Sequence, residues 1–428
     1  MKKKSLSKDA ILFLPLLALY IIVILVFASS DLVGDELRHM RYAENITNGY
    51  YAEADNPEFR NGPGYPFVIS PAVFFKIPNT SIKLLNAFFL FFAVSFFFRT
   101  MLSYLDRTSA IAISYFFGLY PVFLKWMVYL HSEALAIFLS CGFIYFFLKS
   151  NRQPYKNFNL VLSAFFLGVL ALTKIIFGYV ILATLFFYVV GYFFKKSKKI
   201  QRGIIVLAGS LAVCIPYLFY TYHLTGKPFL WGTGGGEILY WRSTTYADEY
   251  GNWINSDIVL GKEEHDYIYS EALKKNHGDF IRSLQGYTYV QKDSLFKKKA
   301  IENMRQYPIK YLENTVDSAL RLFFNYPYSY TPQKTSSYVY ILPNMFLVVF
   351  LISSLFLAIR YPYAIPFEIR FLGLITLLFV GGLTLLDGKI RHLVPIIPIL
   401  VFFIVFVHKK LVILEIKHPS KTVDTDSL

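Results

Sequence analysis

Charge is scarce in this chain. Of 428 residues, 17% are Asp, Glu, Lys or Arg and 55% are hydrophobic, whereas soluble domains carry about 25% charge. With a mean hydropathy of +0.44, an ordinary soluble protein is excluded. Cysteine is scarcer still. Cys141 and Cys214 both fall inside apolar runs, which excludes a disulfide framework. Solenoid repeats and low-complexity tracts are lacking. So is clear metal-ligand spacing, because His131 and Glu133 stand two residues apart and do not share a helical face. Acidic residues are outnumbered, 28 against 43 basic. The resulting charge of +15 does not call for nucleic acid, because the basic residues cluster in short gaps between apolar runs, as they do in cytoplasmic loops.

What is abundant is apolar sequence of spanning length. Runs at 11–28, 82–101, 108–124, 132–148, 158–173, 175–194, 203–221, 341–359, 368–386 and 392–407 predict about ten transmembrane helices. The 43 Phe and 33 Tyr suit lipid-facing rings and interfacial aromatic belts. Lys2, Lys3 and Lys4 before the first run resemble a secretory leader, but 11–28 is long enough to span and reads as a retained helix. Arg107, Lys149, Arg152, Lys156, Lys195, Lys196, Lys198, Lys199, Arg202, Lys409 and Lys410 all fall on the side of the N-terminus. By the positive-inside rule that side is cytoplasmic, which places the protein in the plasma (inner) membrane with both termini inside.

The expected organisation is an N-terminal membrane module (1–222) with a first outer loop (29–81), an outer subdomain (223–340), C-terminal spans (341–410) and a cytoplasmic tail (411–428). In the first loop, Asp35 to Asn48 reads as an amphipathic interfacial helix ended by Gly49. Tyr65 to Phe75, interrupted by prolines, reads as re-entrant or interfacial. The run Gly232-Thr233-Gly234-Gly235-Gly236 excludes regular helix and points to close backbone approach. Leu295 to Gln306 and Ile309 to Phe324 have helical periodicity on either side of Pro308.

Chemistry-bearing residues gather on the outer side. Asp35 and Glu36 are adjacent, so on a helix only one can face a reacting atom. Asp35 suits a general base, a role worth about 10²–10⁴ in rate, and equally suits a helix N-cap. Glu133 opens an apolar run, where a carboxylate needs a cavity or a partner; Ser132 capping a helix with Glu133 in its first turn is the alternative. Lys174 lies between two apolar runs, as a ligand or as a snorkelling side chain. Asp387-Gly388-Lys389-Ile390-Arg391-His392 places three potential cations where positive charge is disfavoured. An anionic ligand, phosphate above all, explains that placement, and a loop salt bridge with Asp387 is the simpler account. Together these parts suit transfer of a group from a lipid phosphate, which leaves without a general acid when cations stabilise it.

The motifs Gly34-Asp35-Glu36, Gly62-Pro63-Gly64-Tyr65-Pro66, His131-Ser132-Glu133-Ala134-Leu135, Ala171-Leu172-Thr173-Lys174, Pro216-Tyr217, Thr225-Gly226-Lys227-Pro228 and Arg391-His392 with Pro395 and Pro398 run through nearly the whole chain. As a set they resemble the GT-C superfamily of integral-membrane glycosyltransferases, in particular the bacterial protein mannosyltransferase and aminoarabinose transferase branch. The resemblance implies an all-α polytopic fold and extracytoplasmic transfer of a sugar from a polyprenyl-phosphate donor to a glycan, lipid or protein hydroxyl. It implies Asp35 as base, Glu133 as the second acidic residue, and Lys174, Lys389 and Arg391 toward the donor phosphate; beside them Glu36 is read as the supporting catalytic neighbour of Asp35 and His392 as a further phosphate ligand. Arg38, His39, Tyr65 and His131 complete the candidates as substrate-binding side chains. Some relatives use a divalent cation and others do not. Two departures stand out: Ile175 follows Lys174 where relatives often have proline, and the outer segment differs in size, so no acceptor carries over. A lipid-linked sugar flippase would show inverted repeats or mid-membrane polar residues, and an oligosaccharide polymerase or ligase would concentrate its key residues in a late outer loop.

Overall fold

The computed structural model describes residues 9–151, 156–261, 267–332 and 335–412. Lys2, Lys3, Lys4, Arg152 and the tail beyond residue 412 lie outside the described residues. Among those described the chain is all helical, and seven helices are long and apolar enough to cross a membrane.

The helices are α1 (Leu14–Phe27), α2 (Asp35–Thr47), α3 (Gly64–Phe74), α4 (Asn79–Met101), α5 (Arg107–Gly118), α6 (Pro121–Trp126), α7 (Glu133–Ser150), α8 (Lys156–Thr173), α9 (Ile176–Phe194) and α10 (Lys198–Thr225). Then follow α11 (Gly235–Arg242), α12 (Ser256–Val259), α13 (Tyr267–Ser283), α14 (Tyr289–Gln306), α15 (Pro308–Phe324), α16 (Tyr338–Arg360), α17 (Phe367–Leu385), α18 (Ile390–Leu393) and α19 (Ile397–Leu411).

All ten expected runs are helical, with three differences from ten plain spans. The run 108–124 breaks between α5 and α6, because Pro121 pushes Tyr120 out of the helical region (φ −59°, ψ 122°). The first run is a 3₁₀ turn, Ile11–Phe13, leading into α1. The last span starts earlier than predicted: α18, the 3₁₀ turn Val394–Ile396 and α19 form one apolar element, Ile390–Leu411. Arg391 and His392 therefore sit in its first turn, not in the preceding bend.

α7 is the most buried of the seven long spans, 78% inside the protein, packed between α4 and α8. At one end of the bundle Asp9 meets Arg99 (3.6 Å) and Arg107 (3.2 Å). At the other end α2, the start of α7, the bend at Lys174 and the start of α18 converge.

Between α10 and α16 lies a helical cap, of which α11 to α14 share a core around Tyr240, Trp241, Leu273 and Phe296. The glycine run does allow close approach. A Cβ on Gly236 would lie 2.0 Å from the Asp293 carbonyl oxygen of α14, and the Asp293 carboxylate accepts from the Gly234 and Gly236 amides at 2.8 and 2.7 Å. The run is not free of helix, however, since Gly235 and Gly236 form the first turn of α11. Phe59 and Thr233 exchange two hydrogen bonds, of 2.9 and 3.0 Å, tying the first loop to this cap.

Candidate active site

α2 positions the first carboxylate. Its residues Glu36, His39, Tyr42 and Ala43 recur at helical spacing and are buried. Gly34 takes the N-cap position with φ +55°, and no side chain caps the helix. Asp35 is thus the first helical residue, and its carboxylate turns toward guanidinium groups. Its Oδ2 lies 2.6 Å from Arg391 Nη2, and Oδ1 accepts from Arg38 Nη2. Arg38 is held from its other side by the Asn61 side chain. Burial raises the Asp35 pKa, but the charges of Arg391 and Arg38 outweigh it and hold the carboxyl well below the usual carboxylate range.

Asp35, Arg38, His131 and Arg391 line one cavity of about 1490 Å³ between the membrane bundle and the helical cap. Trp126 forms part of its wall beneath the Arg391 guanidinium, 5.4 Å from ring centroid to Cζ. Trp253, from the cap, also lines it, with Lys389 Nζ 4.7 Å over its ring.

The other candidates do not line the cavity. Glu36 turns to a different face from Asp35, since neighbours on a helix project about 100° apart. It is 1% exposed, pairs with Lys83 at 2.9 Å and accepts from the amides of Leu130 (2.8 Å) and Val33 (3.1 Å). Its geometry is that of a buried anchor, and removing one partner of such a pair costs about 3–5 kcal/mol. Glu133 and Lys174, assigned separately to catalysis and to phosphate, pair with each other at 2.8 Å behind the cavity wall. They meet because α7 begins beside the bend that joins α8 to α9. Tyr65 is fully buried with its ring edge-on to His39 at 5.1 Å, so neither can be reached from the cavity. Lys389 pairs with Asp387 at 3.2 Å: burial raises Asp387, but the charges of Lys389, His392, Arg242 and Arg321 together outweigh it and lower the carboxyl to about 2, whereas burial lowers Lys389 despite Asp387. His392 Nδ1 lies 3.0 Å from the Asp387 carbonyl oxygen. Among the described residues no group of three His, Cys, Asp or Glu side chains is placed to hold a metal ion.

His39 and His131 stand behind Asp35, their rings 6.4 Å apart. Burial lowers both, His39 to about 3. A histidine depressed in the folded state binds its proton more readily when unfolded, so stability is intact above about pH 6.5 and is lost as pH falls toward 3. His39 thus takes away up to about 1.4 kcal/mol per pH unit below 6.5. His39→Gln is expected to flatten the fall in melting temperature between pH 7 and pH 5 in detergent, and an unchanged slope contradicts this.

Sequence reasoning missed Lys83, Trp126, Trp253 and Asn61. Lys83 was detectable, since a lysine inside an apolar run needs a buried partner. Trp126 and Trp253 depend on how the cap folds over the bundle, which carries no local signal.

No protein family and no curated protein matches the chain in sequence. Among solved structures it is similar to the Archaeoglobus fulgidus oligosaccharyltransferase in its apo form, at 14% identity and a TM-score of 0.48, over 92% of this chain and 50% of that one. It is also similar to the archaeal oligosaccharyltransferase AglB of Archaeoglobus fulgidus in complex with an inhibitory peptide and a dolichol-phosphate (14%, TM-score 0.46, 92% and 50%). A third likeness is to ArnT from Cupriavidus metallidurans bound to undecaprenyl phosphate (13%, TM-score 0.41, 93% and 77%). The chain spans about half the length of the oligosaccharyltransferases it resembles. At such identities and scores the functional reading rests on the site itself.

Proposed function

We propose that this protein is a membrane glycosyltransferase that moves a sugar from a polyprenyl-phosphate donor to an acceptor hydroxyl on the extracytoplasmic face, with Asp35 as base. The observation that carries the reading is the contact of Arg391 with Asp35 on the wall of a large cavity. It sets a bidentate phosphate ligand beside a carboxylate, at the end of the bundle where the positive-inside rule disfavours cations.

In the proposed reaction the donor phosphate takes the Arg391 guanidinium. Asp35 loses one of its two counter-charges and becomes a stronger base. It removes the acceptor hydroxyl proton while the acceptor oxygen bonds to the anomeric carbon. The bond from that carbon to the phosphate oxygen breaks, and its electron pair leaves with polyprenyl phosphate, stabilised by Arg391 with Lys389 nearby. Double displacement needs a second carboxylate about 5 Å from the first as nucleophile. Glu133, paired with Lys174 and outside the cavity lining, does not offer one, so single displacement with inversion is favoured. A divalent cation is not needed for this scheme.

Sidedness has its own test. Glu53 is exposed in the first outer loop, so Glu53→Cys is expected to react with an impermeant maleimide added outside intact cells. Labelling only after cytoplasmic access overturns the orientation.

A further inference from the structure

α15 divides its surface into three sectors. Asn314, Ser318, Arg321 and Leu322 are fully buried against the protein. Lys310, Glu313 and Asp317 form a charged edge. On the remaining sector Ile309, Leu312, Val316 and Leu320 are 70, 62, 61 and 42% exposed. Steps of three and four residues stack these side chains into one apolar stripe along the helix.

Two observations indicate what covers the stripe. The Tyr311 hydroxyl donates to the carbonyl of Leu385 at 3.1 Å, the last residue of α17, so α15 lies at the depth where a span ends. The chain then runs from α15 into α16, a helix long and apolar enough to cross a membrane, of which only 11% is inside the protein. An amphipathic helix at such a boundary buries its apolar face about 5–10 Å into the leaflet.

The opposite face of α15 grips the bend that delivers Lys389 and Arg391. Arg242, itself fully buried, donates through Nε to the Leu386 carbonyl (3.0 Å) and through Nη1 to the Asn314 carbonyl (2.7 Å), with Nη2 on the Ser318 hydroxyl. The Gly388 amide donates to the same hydroxyl at 2.9 Å, and a Cβ on Gly388 would lie 2.0 Å from the Ser318 carbonyl oxygen. The bend thus lies against α15 with no room for a methyl group.

We propose that the α15 stripe is seated in the leaflet on the active-site side, and that α15 uses this seat to hold Lys389 and Arg391 at the depth of a lipid phosphate. Its occupant is lipid, not a second protein. Ser318, Arg242 and Gly388 are positioning residues in this arrangement. The consequence for donor use rests on the transferase reading, and the seating does not.

The test places nitroxide labels at Ile309→Cys, Leu312→Cys and Val316→Cys in nanodiscs, with Glu302→Cys on α14 as the aqueous control. Cys141 and Cys214 are buried and free, and replacing them with alanine removes background. Collisions with oxygen are expected to exceed those with a nickel chelate at the three stripe positions and to fall below them at Glu302. Nickel dominance at the stripe overturns the seating. Exclusion of both reagents, with dipolar broadening between copies, overturns lipid as the occupant. In a second arm, Leu312→Glu with Val316→Glu is expected to raise KM for a polyprenyl-phosphate-sugar about tenfold by shifting the bend, whereas Leu312→Met with Val316→Ile leaves it near wild type. An unchanged KM in the glutamate variant overturns the coupling to the bend. Should the wild type transfer no sugar, the transferase reading falls, and the collision profile still decides the seating.

Discussion

Asp35→Asn is expected to lower kcat for sugar transfer by about 10²–10⁴, the worth of a positioned base, in membranes that hold the native acceptor. Asn keeps the size of the side chain and can still meet Arg38, so the fold has little reason to change. It cannot take the acceptor proton. Asn also releases Arg391 from its ion pair, so donor KM should hold or fall while kcat drops. Full activity in well-folded Asp35→Asn protein removes the base assignment. The acid side is informative as well: in the free enzyme Asp35 is held ionised by Arg391 and Arg38, so its own protonation should leave no acid limb in the wild-type kcat/KM above pH 5.

Arg391→Ala is expected to act on the other substrate. Removing a bidentate phosphate ligand leaves the donor phosphate with Lys389, which is itself engaged with Asp387 at 3.2 Å. Charge-assisted hydrogen bonds are worth about 1.5–3 kcal/mol each, so donor kcat/KM should fall by at least about 10–100-fold, with acceptor KM nearly unchanged. Asp35 also loses a counter-charge and becomes more basic, which sharpens the contrast: a defect in acceptor use with intact donor use contradicts the assignment. Arg391→Lys restores charge without the planar fork and should recover only part of the loss.

The membrane class, the position of α2 and the helices flanking Pro308 were legible because period and apolar length are local signals. Asp35 and Arg391 were legible as candidates because each stands where charge is disfavoured. The difference between Asp35 and Glu36 was legible only as a rule that the two could not share a face. Which of them meets the cavity depends on Lys83 and the amide of Leu130, contributed by α4 and by the segment before α7. The pairing of Glu133 with Lys174 was hidden, since it joins residues 41 apart that only the packing of α7 against α8 brings together. The burial of Tyr65 was hidden for a related reason: α3 packs against α2 and encloses the ring.

In the donor complex a lipid-linked phosphate is expected to replace Asp35 on Arg391. A structure of the protein in nanodiscs with a polyprenyl-phosphate-sugar bound tests it without knowledge of the acceptor. The expected result is the phosphate on the Arg391 guanidinium, the 2.6 Å contact with Asp35 opened, and the freed carboxylate facing the anomeric carbon from the side opposite the phosphate. A phosphate bound elsewhere, with the Asp35–Arg391 pair intact, contradicts it.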